Sequence, residues 1–333
     1  MGLKEEILEQ GAVLRHLIDT QVPVVEAVVE EIKSHEIDTV FLTARGTSDY
    51  AGLYAKYLWG ASNGLPIALA TPSLFSIYKR PPTLNRTLVL GISQSGQSPD
   101  IVAVVEEGRR QGALTVAVTN MPDSPLAQAA EHVLALGAGE EQAVAATKTY
   151  TAQLAALGLL SVQLAEDEAR LRALQRVPKA VQATLQLEEQ IASAAQRYAH
   201  ADECVVVGRG FNYATAFEIA LKLKELTYMM AEPYSSADFR HGPVAIVEHG
   251  FPVIVVAPQG EVYDDILALT HKLADRDAEL TVIADQDAPL SLARVPLRLP
   301  VALPAWLSPF TCIVPGQLLA HHITLAKGYD PDH

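Results

Sequence analysis

A short polar segment, Ser93-Gln94-Ser95-Gly96-Gln97-Ser98, follows an apolar run typical of a buried strand and precedes a helical pattern. This order places hydroxyls, amide side chains and backbone N–H groups at a helix N-terminus, where an anion binds favourably. Thr47 and Ser48 follow the preceding predicted strand, and the carboxyl ends of neighbouring parallel strands share one crevice. A polar turn that only caps its helix would look similar. We predict a phosphate-binding cradle made of Thr47, Ser48, Ser93, Gln94, Ser95, Gly96 and Ser98.

A second group of chemically capable side chains lies on one predicted helix. Glu218, Lys222 and Glu225 recur at four- and three-residue intervals and therefore share a helix face. An exposed ladder of salt bridges would have the same spacing. The loop after this helix holds His241 between polar residues and a Gly-Pro turn, and such turns present side chains to clefts. Lys327 ends the last predicted helix, where the helix dipole alone favours a basic residue.

The elements that must position these residues occur twice. Residues 41–46 return as residues 205–210, an offset of 210 − 46 = 164. Gly96 and Gly260 have the same separation, 260 − 96 = 164. Two anchors at one spacing indicate an internal duplication. The second copy reads Ala257-Pro258-Gln259-Gly260-Glu261 at the polar segment, so only the first copy keeps the hydroxyl groups.

Within each copy, apolar β-branched runs alternate with helical patterns, which is typical of a parallel sheet covered by helices. The sequence predicts an α/β fold with two tandem, doubly wound, flavodoxin-like parallel-sheet domains, a helical N-terminal arm and a C-terminal helix. We place the domains at residues 1–175 and 176–333. The predicted strands are Thr39–Thr43, Ile67–Ala70, Leu88–Ile92, Leu114–Thr119, Cys204–Val207, Val253–Ala257 and Leu280–Ala284. The principal predicted helices are Val144 to about Glu168, Val177–His200, Tyr213–Met230, Tyr263–Ala274 and a last one around Pro315–Lys327.

The composition narrows the possible functions. The chain has 333 residues, enough for two domains that each bury a core, and a net charge of −14 without a basic patch, so we expect no nucleic-acid binding. Cys204 and Cys312 lie in apolar runs and lack disulfide or metal-ligand spacing, which predicts buried thiols. There is no signal-peptide pattern and no apolar run of membrane-spanning length. We expect a soluble cytoplasmic protein without membrane contact.

Together the motifs resemble the SIS (sugar isomerase) family, in particular the two-lobed isomerase half of glucosamine-6-phosphate synthase, also called glutamine–fructose-6-phosphate aminotransferase. The stand-alone relatives of that half, the type II glucosamine-6-phosphate deaminases, are similar too. The resemblance extends over nearly the whole chain. Six ordered motifs carry it: Gly46-Thr47-Ser48, Ser93-Gln94-Ser95-Gly96, Val144-Ala145-Ala146-Thr147-Lys148, Ala220-Leu221-Lys222-Leu223-Lys224-Glu225-Leu226, Arg240-His241-Gly242-Pro243 and Leu325-Ala326-Lys327-Gly328.

The resemblance implies a hexose 6-phosphate substrate. Its phosphate and nearby hydroxyls would be held by Ser48, Ser93, Gln94, Ser95 and Ser98. Backbone groups of Val144 and Ala145 would contact the sugar. No metal or other cofactor is implied.

The resemblance also implies catalytic roles. Glu225 would move a proton between C1 and C2 of the open-chain sugar, and Lys222 would steady the enediol-like intermediate. His241 would help to open the ring, and Lys327 would form a Schiff base with the carbonyl carbon. A carboxylate base and an electrophile in a dry, positively biased pocket are what this proton abstraction requires. Family members are dimers, so we expect a homodimer in which His241 acts across the interface.

Some features depart from the synthase. The synthase begins with a glutaminase domain and a catalytic cysteine, whereas this chain begins Met1-Gly2, so we expect no glutamine hydrolysis. Ala146 replaces a serine, and the sequence ends at His333 without the Arg-rich tail. Without glutamine the same site would convert glucosamine 6-phosphate to fructose 6-phosphate and ammonia. A deaminase is therefore our leading hypothesis, and residues 5–10 and 236–243 favour it.

Two alternatives stay open at this point. A related enzyme could be a ketose/aldose isomerase or a deglycase that acts on another phosphorylated amino sugar or glycation product. The chain could also be a non-catalytic sugar-phosphate sensor. Sensors of this family usually carry a DNA-binding arm, and the acidic start offers none. The joint presence of Glu225, His241 and Lys327 favours an enzyme.

Overall fold

A computed structural model describes residues 2–332, and Met1 and His333 lie outside the described part. Contacts within the chain divide it into two compact units. The first unit comprises residues 12–141 and 148–175, and the second comprises residues 2–11, 142–147 and 176–332. The second unit thus includes two short segments from the first half of the sequence. Whether residues 1–175 and 176–333 fold as separate domains stays a prediction.

The first unit contains a five-stranded sheet in the order β2-β1-β3-β4-β5, and every neighbouring pair of strands is parallel. The central strands are apolar and buried, which is expected for a parallel sheet covered by helices on both faces. The strands are β1 Thr39–Thr43, β2 Ile67–Leu69, β3 Thr87–Ser93, β4 Leu114–Thr119 and β5 His132–Ala135. The helices are α1 Leu3–Thr20, α2 Val22–Ser34, α3 Thr47–Asn63, α4 Ser73–Ser76, α5 Pro99–Arg110, α6 Pro125–Ala129, α7 Lys148–Leu164 and α8 Glu168–Leu174. Of these, α1 supplies its first residues to the second unit.

The second unit contains another parallel five-stranded sheet, in the order β10-β9-β8-β6-β7. Its strands are β6 Glu203–Gly208, β7 Met230–Ser235, β8 Pro252–Val256, β9 Glu279–Ala284 and β10 Val295–Arg298. Its helices are α9 Val177–Thr184, α10 Glu188–Ala195, α11 Phe211–Thr227, α12 Ser236–Arg240, α13 Tyr263–Ala274, α14 Asp287–Leu290 and α15 Ser308–Ala326. Short 3₁₀ helices occupy Leu185–Leu187, Gln196–Tyr198, Pro243–Ile246 and Ala305–Leu307. The predicted fold class, two parallel-sheet α/β domains, is confirmed.

The duplication is visible in backbone detail. Helices α3 and α11 have equal length and begin 211 − 47 = 164 residues apart. Each follows a glycine in the same unusual conformation, with φ 55° and ψ −131° at Gly46 and φ 59° and ψ −130° at Gly210. Each also ends at a left-handed residue, Gly64 or Tyr228. The two sheets have the same strand order once the second set is renumbered, so the copies share one topology.

The sequence missed three strands, and all three lie at the edge of a sheet. Strands β7 and β10 contain Pro233 and Pro296, which cannot donate to a ladder and so weaken a strand pattern. Strand β5 is only four residues long. The predicted helix Tyr213–Met230 was therefore too long, because the chain turns at Tyr228 and enters β7 at Met230.

Three other helix predictions were also wrong in their bounds. The helix predicted from Val144 to about Glu168 is α7, which begins at Lys148 and ends at Leu164, because residues 141–147 are not helical. The last helix was predicted around Pro315–Lys327, yet α15 begins at Ser308 and continues through that proline. The predicted helix Val177–His200 is interrupted by two 3₁₀ turns, which divide it into α9 and α10. Cys204 and Cys312 are buried and unpaired with each other, as predicted. Among residues 2–332, no helix is long and apolar enough to cross a bilayer.

Candidate active site

The predicted phosphate cradle is the connection from β3 to α5, at the carboxyl edge of the first sheet. The Ser93 hydroxyl oxygen accepts the N–H of Gly96 at 3.1 Å, and the Ser95 hydroxyl oxygen accepts the N–H of Gln97 at 3.4 Å. The turn is therefore held by its own serines. Because a hydroxyl oxygen that accepts such a bond still has a hydrogen to donate, both serines can also donate to an anion.

Neighbouring residues fix the outer side of this turn. The Gln94 carbonyl accepts the N–H of Asn120 at 3.1 Å and the hydroxyl of Thr119 at 3.2 Å. Gly96 has φ +62°, and a Cβ added there would lie 2.0 Å from the Ser124 hydroxyl oxygen. Only glycine fits this position, both for conformation and for space. Thr119, Asn120 and Ser124 were not found from the sequence, because a turn's supporting residues carry no pattern of their own.

Ser98 is the N-cap of α5, and its side chain makes no capping hydrogen bond. The alternative that Ser98 serves only to cap α5 with its side chain is therefore not supported. Nearby, Arg45 contacts Asp100 with 3.1 Å between Nη2 and Oδ2. Hydrogen bonds from Ser76 and from Arg45 hold the pKa of the Asp100 carboxyl below its ordinary value. At the start of α5, the Ser98 hydroxyl makes no bond to the helix, and the negative charge of Asp100 is compensated by Arg45.

Thr47 and Ser48 begin α3, directly after β1, and β1 lies next to β3 in the sheet. The structure therefore brings both residues to the same sheet edge as the cradle. Ser48 is buried, and its hydroxyl oxygen accepts a hydrogen bond of 3.0 Å from Nε2 of the fully buried Gln153 on α7. With one lone pair occupied, the Ser48 hydroxyl hydrogen can point elsewhere. Gln153 is a further residue that the sequence did not reveal.

The second unit uses the matching positions differently. Asn212 stands 212 − 48 = 164 residues after Ser48, and its Nδ2 donates to the Ser308 hydroxyl at 2.7 Å. Its Oδ1 accepts a bond of 3.0 Å from Thr215. The polar group that corresponds to Ser48 is therefore engaged on both sides. This agrees with the loss of hydroxyls from the second polar segment.

The acid–lysine group on α11 is buried rather than an exposed ladder. Lys222 is 1% exposed, and its ammonium lies 3.3 Å from Glu218 Oε1 and 2.9 Å from Glu225 Oε2. The Glu218 side chain is 0% exposed, whereas that of Glu225 is 32% exposed. Burial lowers the pKa of Lys222, but the two carboxylates raise it more, so the net pKa lies above its ordinary value. The lysine thus stays charged and holds a partly accessible carboxylate.

The structure places the other two predicted catalytic residues at opposite edges of the second sheet. Lys327 follows α15, and its ammonium donates to the Ala201 carbonyl at 2.6 Å, just before β6 begins. Glu225 lies in the last turn of α11, which ends before β7 begins, so it shares this amino edge with Lys327. His241 is exposed and follows α12, beyond the carboxyl end of β7. A six-residue strand separates the two edges by roughly 20 Å. Within one chain, His241 and Glu225 are not brought together.

Val144 and Ala145 lie in the segment 142–147, which belongs to the second unit. Val144 is 69% exposed and Ala145 is buried. The N–H of Gln142 donates to Glu6 Oε1 at 2.5 Å, so the segment is bound to α1 at one end. Val144 is therefore exposed on a segment whose backbone is hydrogen-bonded to Glu6 of α1.

Comparison with known proteins gives a consistent result. A family model of the SIS domain matches residues 35–163 and again residues 197–326. A glutamine–fructose-6-phosphate aminotransferase (isomerizing) of Thermus thermophilus is 37% identical over 343 residues, covering 98% of this chain but 56% of that protein. The chain thus spans little more than half the length of that relative.

Two solved structures extend the comparison. The C-terminal domain of glucosamine-fructose-6-phosphate aminotransferase from Francisella tularensis aligns with a TM-score of 0.87 at 26% identity, covering 99% of this chain and 97% of that one. Glucosamine-6-phosphate deaminase from Thermotoga maritima aligns with a TM-score of 0.80 at 22% identity, covering 99% and 96%. At the latter identity the likeness concerns the fold alone.

Proposed function

Because the chain belongs to the SIS domain family, with both copies of the domain present, we propose that it is an enzyme that acts on a hexose 6-phosphate. The finer proposal is a deaminase that converts glucosamine 6-phosphate to fructose 6-phosphate and ammonia. The observation that carries it is the buried Lys222, which holds the partly exposed Glu225 carboxylate at 2.9 Å. An exposed carboxylate beside a fixed positive charge is suited to remove a proton next to a carbonyl.

The proposed substrate contacts begin with the phosphate. Ser93, Gln94, Ser95 and Ser98 and the N-terminus of α5 would hold it, with Gly96 letting the backbone approach closely. Thr47 and Ser48 would donate to nearby oxygens. Backbone groups of Val144 and Ala145 would contact the sugar.

The proposed chemistry is a proton transfer followed by hydrolysis. In the open-chain aldehyde, Glu225 takes the proton from C2, which gives an enolamine between C1 and C2. As Glu225 returns this proton to C1, the C1 oxygen gains one proton and the nitrogen loses one, which leaves a C1 hydroxyl and an imine at C2. Water then hydrolyses the imine to fructose 6-phosphate and ammonia. The Lys222 ammonium stabilises negative charge as it develops on oxygen. The net reaction consumes one water and needs no redox partner.

Two further roles depend on movement or on a second chain. Ring opening by His241 is proposed to occur in the site of a partner copy, since its own Glu225 lies at the opposite edge of the sheet. A Schiff base at Lys327 would require its ammonium to leave the Ala201 carbonyl, which it contacts at 2.6 Å, and to lose a proton. If Lys327→Met leaves turnover unchanged, this lysine anchors α15 and is not catalytic.

The direct test is to incubate the purified protein with glucosamine 6-phosphate and to measure ammonia and fructose 6-phosphate together. We expect equal release of both, with a loss of about 100-fold or more in the Glu225→Gln variant because the general base is gone. Glu232→Gln, an exposed carboxylate on β7, is the matched control and should keep full activity. Binding of the substrate without release of either product would overturn the deaminase proposal. An assay of other phosphorylated amino sugars would then separate a ketose/aldose isomerase or deglycase from a sensor.

A further inference from the structure

The segment 142–147 is fastened to α1 by the buried carboxyl group of Glu6. Glu6 is 0% exposed, and its Oε1 accepts the N–H of Gln142 at 2.5 Å and the N–H of Ala143 at 3.3 Å. A buried backbone N–H that loses its acceptor costs the free energy of an unmade hydrogen bond, and both of these N–H groups depend on one oxygen of Glu6. Glu6 therefore determines the backbone direction immediately before Val144.

The other end of the same segment is tied to α1 through a pair of buried amides. Gln10 lies one turn after Glu6 on α1, and its Nε2 donates to Gln317 Oε1 at 2.9 Å. Gln317, on α15, donates its own Nε2 to the carbonyl of Thr147 at 3.4 Å. Both glutamines are at most 1% exposed. Two residues of one helix face thus hold the segment before and after its exposed middle.

The arrangement suits a binding role better than a purely architectural one. Between the two fastened ends stands Val144, which is 69% exposed, with buried Ala145 beside it. The exposed Val144 side chain buries little surface, so burial of that side chain does not explain why the backbone on both sides of it is held. A backbone that must offer its polar groups to a small ligand, by contrast, needs to be fixed before the ligand arrives.

We propose that Glu6 is a positioning residue, which fixes the backbone of Val144 and Ala145 for contact with the sugar end of the substrate. The inference rests on the proposed function, because it assumes that these two residues face a hexose 6-phosphate. Glu6 does not touch the substrate itself. Gln10 supports the far end of the segment through Gln317.

The test is to titrate two ligands into the purified full chain and to follow binding by calorimetry. Fructose 6-phosphate reports on the whole site, and inorganic phosphate reports on the cradle at residues 93–98 alone. We expect Glu6→Ala to weaken fructose 6-phosphate binding by about tenfold or more, in line with the loss of two hydrogen bonds that hold the backbone, and to leave phosphate binding within about twofold. Glu6→Gln keeps one acceptor oxygen and should lie between Glu6→Ala and the wild type.

The control is Glu5→Ala, which removes an exposed carboxylate from the same turn of α1 and should change neither affinity. Hydrogen exchange provides the second readout: amides 142–147 should exchange faster in Glu6→Ala, while those of α15 keep their protection. If Glu6→Ala does not fold, Glu6→Gln and Gln10→Leu are used in the same two titrations.

The outcomes separate this inference from the proposed function. If the wild-type chain binds fructose 6-phosphate and a folded Glu6 variant binds it equally well, the positioning role is wrong and the proposed function is unaffected. An equal loss for fructose 6-phosphate and inorganic phosphate would likewise overturn it, since that indicates general damage. If the wild-type chain binds no hexose 6-phosphate, the proposed function fails and the positioning role fails with it.

Discussion

Lys222 is the residue on which the candidate catalytic group depends. Its ammonium is 1% exposed and lies within 3.3 Å of one carboxylate and 2.9 Å of another. Removing one partner from a buried ionic group leaves uncompensated charge, which is strongly destabilising. Here the removal of the lysine would leave Glu218 and Glu225 as two carboxylates without their shared cation. Stability and activity should therefore fall together.

We expect Lys222→Met to lower the free energy of unfolding by about 3–5 kcal/mol and to abolish turnover of glucosamine 6-phosphate. Urea denaturation and the ammonia assay measure the two effects. Lys224→Met is the matched control, since Lys224 is a partly exposed lysine on the same helix. Full activity of a folded Lys222→Met protein would show that the cation has no part in the chemistry.

For these residues, the sequence predicted that the three side chains share one face of α11, but it did not predict that this face is buried. The spacing of Glu218, Lys222 and Glu225 fits a surface ladder equally well, and only their burial excludes that interpretation. Burial depends on what packs against α11, chiefly α15, which is distant in sequence. Glu6 and Gln153 were missed for the same reason, because each acts through a hydrogen bond to a residue more than 100 positions away.

The loop between β3 and α5 depends on a glycine as well as on its polar side chains. Its conformation depends on Gly96, where φ is +62° and a Cβ would lie 2.0 Å from the Ser124 hydroxyl oxygen. Gly112, after α5, also has a left-handed φ, +79°, but nothing lies within 4 Å of a Cβ built there. Gly96 is therefore required for both its conformation and the space around it, whereas Gly112 is required for its conformation alone.

We expect Gly96→Ala to weaken binding of inorganic phosphate by about tenfold or more and to destabilise the fold by about 1–3 kcal/mol, because the turn must shift away from Ser124. Gly112→Ala should cost about 1 kcal/mol, from backbone strain alone, and should leave phosphate affinity unchanged. Phosphate titration and thermal unfolding of both variants are the measurements. Equal phosphate binding by Gly96→Ala and the wild type would mean that the loop is not the anion site.

Among the elements, the central strands were predictable, whereas three of the four edge strands, β5, β7 and β10, were not. Strand β4 is buried at every position and was predicted with its observed bounds. Strands β7 and β10 pair on one side only, so they tolerate Pro233 and Pro296 and show no continuous apolar run. An edge strand is specified largely by the neighbour it pairs with, and that neighbour is not part of the local sequence pattern.

For the molecule as a whole, the main consequence of the fold is that one chain does not complete the proposed catalytic group. Glu225 and Lys327 occur at the amino edge of the second sheet, and His241 occurs at its carboxyl edge. A homodimer in which each site takes Glu225 from one copy and His241 from the other would complete it. Two-fold symmetry makes such an exchange reciprocal.

We expect Glu225→Gln and His241→Asn proteins to be inactive alone and to recover activity when dissociated, mixed and reassociated. Random pairing should restore about a quarter of the wild-type rate, since half of the dimers are mixed and each mixed dimer has one intact site. Size-exclusion chromatography with light scattering should first establish a dimer. Mixtures that remain inactive, although mixed dimers form, would place His241 and Glu225 in the same copy's site or remove His241 from the mechanism.

The different backbone paths of the two copies also bear on ancestry. Gly96 has φ +62°, whereas Gly260 has φ +155° and would bring a Cβ within 2.8 Å of Ala305. The first turn of α13 carries Asp265, which pairs with Arg240, and the exposed Asp264, whose carboxylate would repel an anion. Serines reintroduced at residues 257–261 would therefore not recreate an ancestral second cradle. Reversion would need several coordinated substitutions in the loop and the helix, so descendants of this sequence are expected to keep only the proposed anion site of the first copy and to diversify the other half instead.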